Sequence, residues 1–402
     1  MLLKWLIYST FFSVCSEAFV LDVGFDFKIS YLIYFINLPL LVLLGCKVHY
    51  RYFICLFVIF FASAFSSYGI TGKTIFQLFG ISISVLYYYG FLSVFFKKYN
   101  SIEFFDKFSV FFQAINLVFF IIYPFSFLFY FGHHFDFRYH SIFMEPAHFC
   151  AVAIPVLSFL FYKYKQCDSV WNLINLLFLL FTILLSMSSV GILGLALLVM
   201  FNVRLKNALT IPILLFVVVF LFLIYFNIPM VKMRVDDSIN ALTSMNVSDV
   251  NYSTYALVSN LFVTMKSFFT NPLFGSGLGN HELSYSEHIL DLDGIAAFVR
   301  ADSIGLNAKD ANSLFLRTIS ETGIFGVGCF FIQVFLLKPK EILYFYDVDY
   351  MSRYQYLIRG VRNGCLIYIF LKLFREGHWF SPEMYFLFFI YYYSKAKTRF
   401  DN

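Results

Sequence analysis

The sequence predicts an all-α, polytopic integral membrane protein of about twelve transmembrane helices with one long outer (periplasmic) loop, and three observations lead there. Hydrophobic residues make up 60% of the 402 positions and charged residues 13%, about half of the roughly 25% usual in a soluble domain. So few charges do not cover a soluble globule of this size. At ~20 apolar residues per span, a dozen spans need about 240 residues, which a chain of this length and composition supplies. The apolar residues also fall in long runs broken by short polar stretches. Nucleic-acid binding, cytosolic catalysis and disorder are therefore poor descriptions of this chain.

Hydropathy places the spans at about 3–21, 30–46, 52–69, 75–96, 108–131, 147–162, 170–187, 190–203, 209–228, 312–337, 356–374 and 382–394. The seventh and eighth are separated only by Ser186 to Ser189. The eleventh carries Arg359, Arg362 and Lys372 and is the least apolar; its two arginines are expected to line the bundle interior or to snorkel. The amino-terminal run from Leu2 to Val14 has no small-residue cleavage site after it and reads as a retained first helix.

Lys and Arg resist translocation, so their placement orients the chain. One side of the twelve-span arrangement holds Lys4, Lys47, Arg51, Lys97, Lys98, Lys163, Lys165, Arg204, Lys338, Lys395 and Arg399, among others. The short loops of the other side hold Lys28, Lys73, Arg138 and Arg375. Both termini are thus expected in the cytoplasm. The chain divides into 1–228 with helices one to nine, a long periplasmic loop 229–311, and 312–402 with helices ten to twelve and a cytoplasmic tail. The loop is too short and too poor in apolar periodicity to predict a separate domain, and loops of this kind are usually functional or disordered. The seven cysteines lie in or beside apolar runs and form no zinc-type cluster.

Three constellations carry chemistry. The first is Arg138-Tyr-His140-Ser-Ile-Phe-Met-Glu145-Pro146-Ala-His148, preceded by His133, His134 and Asp136. Pro146 suits the first turn of a helix, and Glu145 would sit where the helix dipole favours a carboxylate. Glu145 reads either as a cap or as a carboxylate held at membrane depth for use. The second is Asn271-Pro-Leu-Phe-Gly275-Ser-Gly277-Leu-Gly279-Asn280. It follows no βαβ unit, so a dinucleotide site is rejected; a tight turn using positive φ angles or an anion-approaching backbone remain open. The third is Asp310-Ala-Asn312 to Gly326, in which Asn312 reads as a helix cap and Arg317 and Glu321, four apart, can pair.

In this order the three resemble the O-antigen polymerase (Wzy) and O-antigen ligase group of membrane proteins: Arg138 with Glu145-Pro146 opening a middle helix, Asn271 to Gly279 in a late outer loop, and Asn312 to Gly326 where that loop returns to the membrane. The resemblance implies a glycosyltransferase that takes an oligosaccharide from undecaprenyl pyrophosphate on the periplasmic face. The acceptor is another lipid-linked repeat unit in the polymerases and lipid A core in the ligases. It also implies membrane lipid and a chain-length regulator as partners, and no nucleic acid. The ligases are similar to one another in placing a His directly before the Asn of the third string; Ala311 stands there in this sequence, which favours the polymerase.

Arginine's planar fork suits pyrophosphate, and the chain shows no dedicated carboxylate cage for Mg²⁺, so the expected chemistry needs neither metal nor other cofactor. Arg138 and Arg234 are the expected clamp, with Arg300 in reserve. Glu145 is the expected base or acceptor-positioning group, backed by His140 and His148, with His281 as a loop alternative; Asn312 is a further substrate-binding candidate. A lipid-linked oligosaccharide flippase shares the gross features. It would be expected to show internal repeats and charges at midplane depth, whereas polar residues here concentrate in two outer loops.

Overall fold

The computed structural model describes residues 2–22, 26–48, 50–96, 99–125, 138–202, 229–248, 250–337, 342–345 and 348–400, with 219, 222, 225–227 and 339. The described chain is helical apart from two short strand pairs. The helices are α1 (Leu2–Cys15), α2 (Ile29–Leu43), α3 (Tyr50–Ala62), α4 (Gly72–Phe95), α5 (Ser101–Ile122), α6 (Pro146–Gln166), α7 (Val170–Leu185), α8 (Ser189–Asn202), α9 (Pro229–Ser244), α10 (Tyr252–Thr270), α11 (His281–His288), α12 (Ala296–Arg300), α13 (Leu314–Phe331), α14 (Val348–Phe374) and α15 (Pro382–Tyr393). Strands β1 (Val20–Asp22) and β2 (Asp26–Lys28) pair antiparallel, and β3 (Ile342–Phe345) and β4 (Lys397–Phe400) pair parallel.

Each predicted span other than the ninth falls on a helix, and length then separates them. Among the described residues, four helices are long and apolar enough to cross a membrane, Gly72–Phe95, Ser101–Phe125, Pro146–Gln166 and Leu314–Leu336, and five shorter apolar helices, Leu2–Cys15, Ile29–Leu43, Tyr50–Phe65, Val170–Leu185 and Ser189–Asn202, accompany them. A 15-residue helix rises only ~22 Å, short of a ~30 Å hydrocarbon core. The predicted ninth span, 209–228, lies almost wholly outside the described residues. Large apolar side chains are exposed around the bundle, among them Phe57, Phe61, Phe76, Ile121, Trp171 and Phe181, as a lipid-facing surface requires. Other phenylalanines fill the interior: Phe11, Phe104, Phe108 and Phe386 meet edge to face or tilted.

The helix that is least apolar in sequence lies at the centre of the bundle. α14 carries Gly360-Val-Arg-Asn-Gly364, a small-xxx-small spacing that lets two helices approach closely. A Cβ at Gly364 would lie 2.7 Å from the Cα of Pro155 in α6, and one at Gly360 2.8 Å from the Tyr162 ring. Ser158 of α6 donates to the Gly360 carbonyl at 2.8 Å. Arg359 is exposed and Arg362 half-buried, so the first of these faces away from the bundle interior.

The 229–311 segment is more structured than its weak periodicity suggests. α9 to α12 enclose a second core of Val247, Tyr255, Val258, Tyr285, Leu292 and Phe298, in which Tyr255 and Phe298 stack at 3.7 Å. Capping fixes its longest helix: Asn251 accepts from the Thr254 N–H ahead of α10.

The second and third sequence strings dock on each other. Gly275, Gly277 and Gly279 have φ of +63°, +97° and +83°, which side chains resist, so the tight-turn alternative holds. Four backbone donors of their segment are engaged within the fold rather than offered to an anion. The N–H groups of Gly275, Ser276, Gly277 and Leu278 go to Asn271 O, Ser320 O, Glu321 O and Ser63 Oγ. Gly323, at φ +58°, kinks α13, and a Cβ there would lie 2.5 Å from the Pro272 carbonyl. Gly323→Ala is therefore expected to cost about 1–3 kcal/mol, read as a lowered melting temperature of the detergent-purified protein.

Candidate functional site

Four helix ends meet at one end of the bundle. The chain leaving α1 turns at Glu17, α6 begins at Pro146, α14 ends at Phe374 and α15 begins at Pro382. Pro146 and Pro382 occupy first-turn positions, where the missing N–H costs no helical bond. Lys372 stands in the last turn of α14 and Glu383 in the first turn of α15, each where the helix dipole favours its charge.

From these ends comes a row of ionisable groups in alternating sign. Lys28 Nζ lies 4.0 Å from Glu17 Oε1; Glu17 Oε2 lies 2.5 Å from His148 Nδ1; His148 Nε2 lies 3.9 Å from Glu376 Oε1. Lys372 then pairs with Glu376 and, at 3.4 Å, with Glu383 Oε1. Ser381 Oγ accepts from Lys372 at 2.6 Å and donates to Glu376 at 3.1 Å. The three carboxylates are answered by two lysines and an imidazolium, so the fully ionised row is self-neutral. That balance is what permits Glu17, Lys372, Glu376 and Glu383 all to be buried, since a lone buried charge is costly. Burial pushes the Glu376 carboxyl up, but His148 and Lys372 outweigh it and hold it below its ordinary value.

Glu17, His148 and Glu376 bring one ligand atom each within 4.8 Å of one another, which raises a metal. The two carboxylates, however, flank opposite nitrogens of one ring, and both nitrogens donate only in the imidazolium. Glu376 Oε1 is also shared by Lys372. The set fits a protonated histidine between two carboxylates better than a metal's ligand shell.

A second buried network lies beside the first. Arg317 Nε meets Glu321 Oε1 at 2.8 Å, the i,i+4 pair expected from the spacing. The other Arg317 nitrogens donate to Gly377 O and Gln77 Oε1, and Gln77 Nε2 and Trp379 Nε1 donate to Glu321 Oε2. Behind it His281, fully buried, lies between Ser320 Oγ at 2.8 Å and Asn260 Oδ1 at 3.0 Å. Because Asn260 offers an oxygen, His281 is the neutral Nε2–H tautomer and accepts from Ser320 at Nδ1. Burial first, and Arg317 second, push its pKa down to about 3. The unfolded chain therefore binds a proton below about 6.5 that the native chain refuses. This stabilisation is complete above that pH and is lost as pH falls towards 3. Melting temperature is expected to drop between pH 7 and pH 4, with a shallower drop in His281→Leu.

Both networks border a cleft between α3, α4, α13, α14 and α15. Its wall is apolar, with Tyr52, Val85, Phe330 and Phe388, and carries Tyr368, Lys372 and Trp379.

The predicted residues fare differently. His148 enters the row, and Asn312 joins it through its carbonyl, which accepts from the Glu376 N–H at 3.0 Å. Asn312 is not the helix cap: Ser313 is, accepting from the Leu316 N–H, because Ala311 and Asn312 are both in the left-handed region at φ +57° and +58°. Arg138 is half-buried ahead of α6, and His140 Nδ1 lies 2.5 Å from Phe143 O in a local turn. Glu145 is the residue preceding α6, in extended conformation as expected, but it is exposed and makes no capping hydrogen bond. Arg300 is exposed on α12, bonded to Ala296 O. Arg234 lies in α9 with its side chain outside the described residues, as do His133, His134 and Asp136. The sequence reading missed Glu17, Gln77, Glu376 and Glu383. Lys372 was visible as a charge inside an apolar run, a functional signal in membrane proteins, yet was read only as weakening its span. No family model, no curated protein and no solved structure matches the chain.

Proposed function

We propose that this chain is an O-antigen (surface polysaccharide) polymerase of the inner membrane, with twelve spans, both termini cytoplasmic and its chemistry on the periplasmic face. It joins undecaprenyl-pyrophosphate-linked repeat units. The observation that carries the reading is the apolar cleft bordered at Lys372 and Trp379 by two buried charge networks, a shape and polarity suited to a long isoprenoid chain with a charged head. In the reaction an acceptor hydroxyl loses its proton, its oxygen bonds to the sugar C1, and the C1–O bond to pyrophosphate breaks. Arg138 and Arg234 are proposed to steady the leaving group. The exposed Glu145 and the half-buried His148, three residues apart at the start of α6, are proposed to supply acid–base groups.

Deletion of the gene tests the reading. A lipopolysaccharide ladder collapsed to one repeat unit on lipid A core supports polymerase, and polymer retained on the carrier lipid indicates the ligase. Arg138→Ala and Arg234→Ala are expected to lose about 10²–10³ in rate at normal protein level, and normal long-chain polysaccharide in both removes the clamp. One observation favours the flippase: buried charges of both signs between helices, as transport sites have. A flippase deletion leaves neither repeat unit nor polymer at the surface.

A further inference from the structure

Two polar atoms near Lys372 have no hydrogen-bond partner although both are buried: the Tyr368 hydroxyl and Glu383 Oε2. Such orphans are costly, and these two are neighbours in the fold. Tyr368 lies one helical turn before Lys372 on α14, and both line the cleft. Glu383 is faced by Cys15 from α1 and Glu17 beyond it, Tyr88 from α4, and Tyr368, Lys372 and Glu376 from α14 and the turn after it. Its Oε1 is held by Lys372, leaving Oε2 as the free acceptor at the buried end of the row. The other end is more open, with Lys28 15% and His148 12% exposed.

We infer that Tyr368 and Glu383 form a proton-accepting site for a hydroxyl-bearing ligand in the cleft, and that the alternating row carries the proton from Glu383 past Lys372 and Glu376 to His148 and water. The inference rests on the polymerase reading for the identity of that hydroxyl, a sugar hydroxyl of the acceptor. The acceptor hydroxyl accepts from the Tyr368 O–H and gives its own proton to Glu383 Oε2, the two atoms that lack partners in the protein, so the tyrosine is neutral before and after. The freed electron pair on the acceptor oxygen forms the bond to C1, and the pyrophosphate departs with the electrons of the C1–O bond it loses. Glu383 then returns its proton through the row, and one proton reaches water per bond formed. A hydroxyl is suited to the first step because it donates and accepts at once.

The test uses the full-length protein. Tyr368→Phe keeps the ring in the cleft wall and removes only the hydroxyl; together with Glu383→Gln it is expressed in the deletion strain. Polymer per unit of protein is expected to fall about 10²-fold in each, with Tyr368→Phe melting as the wild type does, and the pH dependence of the residual activity flattened in Glu383→Gln. Independently of activity, infrared pH titration of the purified protein is expected to show a protonated-carboxyl stretch that follows bulk pH and is missing in Glu383→Gln. Full polymer in Tyr368→Phe, or a carboxyl spectrum unchanged by Glu383→Gln, overturns the proton site. A normal ladder in the deletion strain overturns the polymerase reading instead, and the infrared titration still decides whether Glu383 exchanges protons with water.

Discussion

Lys372→Met is expected to remove the protein from the membrane or leave it unfolding at a much lower temperature. The methionine is close in volume, so the loss is electrostatic: three buried carboxylates would then face only His148 and Lys28. Breaking a buried pair by removing one partner costs about 3–5 kcal/mol, a large share of a typical 5–15 kcal/mol stability. The companion variant Lys372→Met with Glu383→Gln restores neutrality and is expected to recover most of the melting temperature. A single variant as stable as the wild type would show that the row does not depend on its alternation of charge.

The same reasoning applies to Arg317→Met, with a different neighbourhood at stake. Arg317 satisfies Glu321, the Gln77 side chain and the Gly377 carbonyl together. Its loss leaves Glu321 buried with Gln77 and Trp379 as donors but no cation. We expect a cost of about 3–5 kcal/mol, and a smaller one in Arg317→Met with Glu321→Met, where no charge is stranded. Melting curves of the two variants side by side check this. Equal destabilisation of single and double variants would mean that Arg317 acts through packing.

The sequence spoke clearly where cause and effect are close along the chain. Pro146 opens a helix, Arg317 and Glu321 meet across one turn, and the glycines of 275–279 take positive φ, because each depends on residues within a few positions. The cap at α13 was misplaced by one residue, since Asn312 and Ser313 are both good caps and Asn312 takes the left-handed conformation, its carbonyl bonded to the Glu376 N–H. The helices of 229–311 were underestimated because a small core needs few apolar residues. Glu17, Glu376 and Glu383 carried no pattern: each is one acid beside an apolar run.

Class and most of the helices were thus legible from residues alone, because hydropathy and helical period are properties of contiguous chain. The charged row was decided by tertiary packing. Its members come from the turn after α1, the strand before α2, the start of α6, the end of α14 and the start of α15. None is tolerable when buried alone, and each becomes so only when the others arrive to neutralise it.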